Sequence, residues 1–390
     1  MKPQHITFVV AEPWHTTDWT TDLGLLVRSL QQQGYESSLT CTQIVGKPTD
    51  YPTSEATLEQ MSDPAYWQAR GVTIAVVFNW LVRGSAVLQA LRRAGVFVLQ
   101  FGDSDGLEGM RVHPQVQITR MWHLRPTMAD KWEGMFTLLK KYLYSHRKED
   151  SLLLTNLETA HITTLTSTTG REAFLRFVRW AGRGDLVERV QVLPSPITPS
   201  FLQREVVAVR KPSIVAVGRW KDPQKDAPLL VATLRHYLPT ASPETTVTLI
   251  GAGGEPHFAD LTRDFPQVRY IGRIPHAEMA DHLGKAQILL FSSRWEGVPV
   301  VSLEMVALGG TVVGPAALPG LAQYSADDAG TTAPQRTPAA LSQALQTESH
   351  LWATGQRNPE VIATRWRHFL DPDTIARQIM TWATKNVKTE

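Results

Sequence analysis

The chain of 390 residues has a single cysteine, Cys41. One thiol excludes a disulfide framework and a thiolate metal site, and it fits a reducing compartment. Long apolar runs are missing as well. The start, MKPQHITFVV, offers a mostly apolar run of five residues, Ile6 to Val10. That is far short of the roughly 18 residues of a membrane span, and with one lysine before it the run reads as a first strand rather than a secretory leader. Charge of one sign is scarce: 39 Lys and Arg stand against 37 Asp and Glu, a net charge of +2. No basic field argues for a nucleic-acid partner. Repeats and low-complexity segments are absent. What remains, 43% hydrophobic and 19% charged, is the composition of an ordinary globular protein with length for two or three domains. The expectation is a cytoplasmic protein, with peripheral contact at the inner membrane surface left open.

Short β-branched runs alternate with helical patterns. Strands are expected at 6–11, 37–45, 72–78, 96–101, 151–155, 161–165 and 189–194, with amphipathic helices at 23–34, 85–95 and 171–182. PSPITPS (194–200) then interrupts with three prolines, and the alternation restarts. Strands are expected at 213–218, 246–251, 268–272, 287–292 and 310–314, and helices at 226–237, 276–285, 299–308 and 338–347. Strands alternating with helices argue for parallel sheets covered on both faces. The expected fold is α/β: two Rossmann-like, doubly wound parallel-sheet domains, 1–200 and 201–370, facing a cleft that is the default ligand site. Residues 371–390 are expected as a last helix packing back on the N-terminal domain.

The stretch SSRWEGVPVVSLEMVAL (292–308) places a glutamate, Glu304, inside an otherwise apolar helix. A buried, unpaired carboxylate costs several kcal/mol, so it needs a partner. Two are open: a lysine or arginine of the neighbouring element, or a ligand diol, whose two hydroxyls a carboxylate accepts together. Glu296 and Gly297 fall in the loop before that helix, whose N-terminus offers free N–H groups. VGRWKDPQKD (217–226) presents Arg219, Lys221 and Lys225 after a strand. Such a loop is either a solvated turn beside Asp222 and Asp226, or a diphosphate cradle. LIGAGGEP (249–256) puts Gly251 and Gly253 between a strand and a helix, where glycine lets the backbone approach a ligand. Cations, glycines and a diol acceptor at the strand ends of one domain compose a nucleotide-diphosphate site.

These residues resemble the retaining GT-B glycosyltransferases, the large family 4 group. The matching text is AVGRWKDPQK, VTLIGAGGEP, YIGRIPHAEMADHLGKAQILLFSSRWEGVPVVSLEMVALGGTVVGP and, more weakly, DDAGTTAP, over about 100 residues of the C-terminal half. Two glutamates separated by seven residues, with G-x-P after the first, are its specific signature. The resemblance implies that Arg219 and Lys225 neutralise the donor diphosphate and that Glu304 accepts from the ribose hydroxyls. It implies that Glu296 contacts the donor sugar, with Gly297, Val298 and Pro299 touching sugar hydroxyls or phosphate. Arg273 and Ile274 would flank the base. No metal and no cofactor are implied beyond the nucleotide diphosphate sugar, UDP- or GDP-linked, which is a substrate. Two cations and a helix dipole suffice to stabilise the leaving diphosphate. A D-x-D occurs in GDSDG (102–106), in the wrong domain for the metal site it suggests.

The N-terminal half departs from the pattern. Where the family carries a glycine pair after the first strand, this chain has AEPWHTTDWTTD (11–22). Where it carries a histidine after the strand at 96–101, Gly102 or Asp103 stands, and Asp103 either contacts the sugar or caps a turn. Trp14, His15 and Trp19 are the acceptor candidates, since an aromatic ring stacks on the apolar face of a sugar. The helix expected at 130–148 has Phe136, Leu139 and Leu143 on one face and a basic end, which suits a core or an anionic membrane. The expected activity is hexosyl transfer, with retention, to a saccharide, lipid or small-molecule hydroxyl. The alternatives are a catalytically silent sugar-nucleotide-binding subunit and an epimerase of the same architecture.

Overall fold

The computed structural model describes residues 5–47, 49–78, 84–102, 107, 109, 111–144, 148–326 and 328–387. The chain forms two compact units. One comprises Met1–Gln117, Met135–Thr198 and Phe369–Glu390; the other comprises Ile118–Gly134 and Pro199–His368. Residues 118–134, read from sequence as part of the first domain, therefore group with the second.

The strands of the first unit are β1 (His5–His15), β2 (Glu36–Val45), β3 (Thr53–Glu55), β4 (Val72–Phe78), β5 (Phe97–Gly102), β6 (Ile162–Leu165) and β7 (Val190–Val192). Between them in the chain run the helices α1 (Asp22–Gln32), α2 (Leu58–Met61), α3 (Pro64–Ala69), α4 (Ser85–Arg93), α5 (Pro114–Leu124), α6 (Met128–Tyr144), α7 (Glu149–Thr159) and α8 (Thr168–Trp180), of which most of α5 and the start of α6, through Gly134, group with the second unit. The sheet order is β3-β2-β1-β4-β5-β6-β7, and its pairs are parallel.

Alternation along a strand explains why both faces are covered. Ile6, Phe8 and Val10 enter one core with Ile74, Val76, Phe97, Leu99 and Phe101. Val9, Ala75, Val77 and Val98 enter another. Because side chains alternate between faces, a continuous apolar strand needs two layers of helices.

Two local expectations change. Residues 151–155, SLLLT, lie inside α7 rather than in a strand. Leu153 and Leu157 of α7 are buried at helical spacing, so a short apolar run there has the helical period that its length alone could not settle. The first strand runs through His15 rather than stopping at residue 11.

The second unit contains α9 (Pro199–Leu202), β8 (Ser213–Val217), α10 (Ala227–Tyr237), β9 (Thr246–Ile250), α11 (Glu255–Asp264), β10 (Val268–Gly272), α12 (His276–Lys285), β11 (Ile288–Leu290), α13 (Val300–Ala307), β12 (Thr311–Pro315), α14 (Ala322–Ala326), β13 (Gly330–Ala333), α15 (Pro338–Ala353) and α16 (Pro359–Leu370). Its sheet order is β10-β9-β8-β11-β12-β13, again with parallel pairs. The order reverses between β8 and β11. At such a reversal the loops leaving two neighbouring strands turn opposite ways and open a crevice at their carboxyl ends.

The last helix, α17 (Pro372–Val387), belongs to the first unit. It lays Ile375, Ala376, Ile379, Met380 and Ala383 into the core that also holds Leu23, Leu26 and Leu30 of α1. Ser29 Oγ donates to Asp373 Oδ1 at 2.5 Å at its start. No helix among the described residues is long and apolar enough to cross a membrane.

Two glycines set the spacing of the second unit's strand ends. Gly251 has φ +123, and a Cβ there would lie 1.8 Å from the Gly218 carbonyl oxygen. Gly253 has φ +79, and its Cβ would meet the Lys221 side chain at 2.4 Å. The first clash is with backbone and cannot be relieved by a rotamer. Gly251→Ala is expected to destabilise the protein by at least about 2 kcal/mol, read as a lower midpoint in urea unfolding.

Candidate active site

Apart from Glu304, which lies inside α13, the donor candidates belong to loops that leave the carboxyl ends of β8, β9, β10 and β11. Hydrogen bonds stitch these loops together. Trp220 N–H donates to the Ala252 carbonyl at 2.9 Å, and Gly251 N–H to that of Gly272 at 2.7 Å. The Arg294 N–H donates to the Gln224 carbonyl at 2.8 Å, and Ser292 Oγ to that of Lys225 at 2.7 Å. Arg219, Gly251, Gly253, Arg273 and Glu296 are thus held at one end of one sheet.

At the crevice between β8 and β11, Lys225 Nζ donates to Glu296 Oε1 at 2.5 Å. Gln224 Nε2 donates to the other oxygen, Glu296 Oε2, at 2.9 Å, and to the Trp295 carbonyl at 2.8 Å. Glu296 is only 7% exposed, so its charge is matched by the ammonium and both of its oxygens are occupied. Arg219 differs: its side chain is 78% exposed and its partner is Asp222, at 3.3 Å. An exposed ion pair holds its members weakly, so this guanidinium is free to swing toward an anion. Gly297 and Val298 are half-buried, and Pro299 is buried.

Behind the pair sits Asp226, which sequence reasoning set aside as a companion of the charged turn. It caps α10 in the left-handed region, with φ 48. Its carboxylate is buried and takes two arginines, Arg294 at 2.7 Å and Arg336. Arg336 also donates to the carbonyls of Ser292 and Ser293, at 3.0 and 3.1 Å, and Arg294 to that of Pro223 at 3.0 Å. His123, on α5, reaches Arg294 Nη1 at 3.3 Å. Burial and the charges of Arg294 and Arg336 hold the His123 pKa below the ordinary range. Arg294 was visible within the motif; Arg336 comes from a segment with no motif, and no sequence signal marks it. Asp226→Ala strands two arginines beside a buried gap. We expect a loss of about 3 kcal/mol in stability, and a variant Asp226→Asn that recovers only part of it by chemical denaturation.

Glu304 is 4% exposed and has a protein partner. His276 Nε2 lies 2.7 Å from Glu304 Oε1. The structural-pair possibility is therefore met, by a histidine of α12 rather than by a lysine or arginine. The His276 side chain is 58% exposed and packs its ring edge on Phe201, 5.3 Å between centroids. A half-exposed imidazole can be displaced or neutralised, and only one of the two carboxylate oxygens faces it. Arg273 is exposed and Ile274 half-buried, just ahead of α12.

The hydrogen bond to Glu304 raises the His276 pKa above its ordinary 6.5, against a smaller opposing effect of burial. The pair therefore stabilises the fold fully below about pH 6.5, and its contribution fades as pH rises through the raised value. In thermal unfolding, the gap between the wild type and His276→Gln should be widest near pH 6 and close as pH rises through the raised value.

In the first unit the acceptor candidates separate. His15 is exposed. Trp14 and Trp19 are 6% and 3% exposed and belong to the core. They meet edge to face at 5.8 Å, and Trp19 lies 4.4 Å from Tyr51. Neither presents a ring face on which a sugar could stack. The extension of β1 through His15 carries Trp14 inward, and the loop that lacks glycine is filled by aromatic rings instead. Asp103, with the rest of GDSDG after Gly102, lies outside the described residues. Among the described residues no cluster of three or more His, Cys, Asp or Glu is placed to hold a metal ion.

Residues 211–348 match the family model described as glycosyl transferases, group 1. No curated protein matches the sequence. Among solved structures, a glycosyltransferase from Rickettsia africae matches with a TM-score of 0.65 at 13% identity, covering 100% of both chains. Sucrose-phosphate synthase from Thermosynechococcus elongatus matches at 0.61 and 16% identity, over 99% of this chain and 100% of that one. HepE from Anabaena, solved in complex with UDP, matches at 0.60 and 13% identity, over 99% and 100%. At these identities the likeness speaks for the fold, which is that of the GT-B glycosyltransferases.

Proposed function

The chain carries a glycosyl transferases group 1 domain within the GT-B fold, and from that footing we propose that it moves a hexose from a UDP- or GDP-linked sugar to an acceptor hydroxyl with retention of anomeric configuration. The observation that carries the reading is the Lys225–Glu296 pair at the sheet's reversal point, with the buried Glu304 on the helix that follows. Arg219 and Lys225 would take the diphosphate. Glu304 would accept from the ribose diol, exchanging the His276 contact for two hydroxyl donors. Glu296 would hold the sugar near its anomeric carbon, with Gly297, Val298 and Pro299 alongside. Arg273 and Ile274 would flank the base.

In this reading the bond from the anomeric carbon to the phosphate oxygen breaks as the acceptor oxygen bonds to the same face. The acceptor proton passes to the departing phosphate. The negative charge that develops on the diphosphate is met by two side-chain cations and the N-terminus of α13, so the step calls for no metal. The acceptor is a saccharide, a lipid or a small molecule received by the first unit. Trp14 and Trp19 would support its loop from within, and exposed His15 is the candidate for contact. A reducing cytoplasm suits the lone buried thiol of Cys41.

Calorimetric titration with UDP- and GDP-sugars tests the donor site. One base should bind, and Glu304→Gln should weaken it about tenfold, since a neutral amide replaces the charged acceptor. No binding by the folded wild type, or an unchanged affinity in the variant, overturns the assignment.

A further inference from the structure

Seventeen large hydrophobic side chains are exposed among the described residues, and nine of them fall between Ile118 and Tyr144. Five make a continuous stripe on α6. Met128, Trp132, Phe136, Leu139 and Leu143 are 54–70% exposed. Their steps of four, four, three and four residues keep them within a sector of about 80°. The opposite side of α6 is taken: a Cβ on Gly134 would meet Met121 and Arg125 of the α5 segment within 3 Å. The stripe is therefore the face of α6 turned away from the α5 segment.

The charge around it is one-sided. Residues 111–150 hold eight lysines and arginines against four acids, a net +4 in a chain whose total is +2, so the remainder carries −2; Arg111 and Lys141 pair with Asp150 and Glu149. Lys140, exposed, flanks the stripe, and Trp132, Tyr142 and Tyr144 supply aromatic rings of the kind that settle at a lipid headgroup level. An amphipathic helix with an apolar face and a cationic surround is what an anionic bilayer surface binds, by burying the stripe and screening the charge. A second copy is a poorer occupant: it would oppose two segments of +4.

We propose that α6 is a docking surface for anionic lipid and that the protein lies on such a membrane through the Met128–Leu143 stripe. This surface is independent of the donor-site reading and stands or falls separately from it.

The test is co-sedimentation of the full chain with vesicles of phosphatidylcholine alone and of phosphatidylcholine containing about 30% phosphatidylglycerol, at about 0.1 and 0.5 M salt. Binding should require phosphatidylglycerol and weaken with salt. Phe136→Asp with Leu139→Asp should lower the bound fraction at least tenfold, while circular dichroism and the urea midpoint stay those of the wild type. Lys140→Glu, which leaves the stripe intact, should lower it by a smaller factor at low salt only. Three results overturn the proposal. One is a folded wild type that pellets with neither vesicle. Another is binding that survives the double substitution. The third is a dimer in analytical ultracentrifugation that the double substitution dissociates, which would make the stripe an interface between copies.

Discussion

Lys225 and Glu296 neutralise each other across the gap between two neighbouring strand ends, and the loops of the candidate site are tied together at that bond. Either charge alone, buried to this degree, would cost several kcal/mol. Together they are stable in a place where a ligand can reach them. An ammonium has three donors and a flexible stem, so under the proposed function Lys225 would keep Glu296 and still donate a hydrogen bond to a phosphate oxygen. A doubly hydrogen-bonded arginine would be less free to do both. The exposed Arg219, paired with Asp222 at 3.3 Å, would under that proposal be the more loosely held of the two cations.

That placement relies on groups further back. Asp226 binds two arginines, one from the loop that carries Glu296 and one from the segment before α15, and both arginines also hold backbone carbonyls. The turn that presents Lys225 and the turn that presents Glu296 are thereby fixed to a common anchor. Gly251 allows the next strand end to come up against Gly218 with no side chain between them. Positions set by rigid strand ends and locked by such bonds are more accurate than those of free loops.

Much of this was legible in the chain, and the boundary of legibility has physical causes. The periodic elements of the second unit were readable because β8 and β12 are largely apolar runs that end at or beside glycine. The two glutamates seven residues apart were readable because their spacing is local: one ends a loop and the other lies inside the next helix. Partners distant in sequence were not. Arg336 reaches Asp226 across 110 positions, and His276 reaches Glu304 from another helix. The partner of a buried carboxylate is a tertiary fact that no local spacing contains. The SLLLT run failed for a different reason, since three consecutive leucines satisfy both periods. Trp14 and Trp19 failed because composition cannot distinguish a ring that fills a core from one that lines a surface.

The path of the chain has a consequence for biogenesis. The apolar layer beneath β1 and β5 is closed by Ile375, Ile379 and Met380 of α17, residues that leave the ribosome only after the whole of the second unit. That unit is contained between Ile118 and His368, so it can reach its native state while the first still has an open flank of hydrocarbon. An amino-terminal part that matures first, as is usual, would here still wait for α17 to complete that core. A nascent chain stalled before α17 would hold a finished nucleotide-type sheet beside a sticky, half-closed one, and would be a natural client for a chaperone.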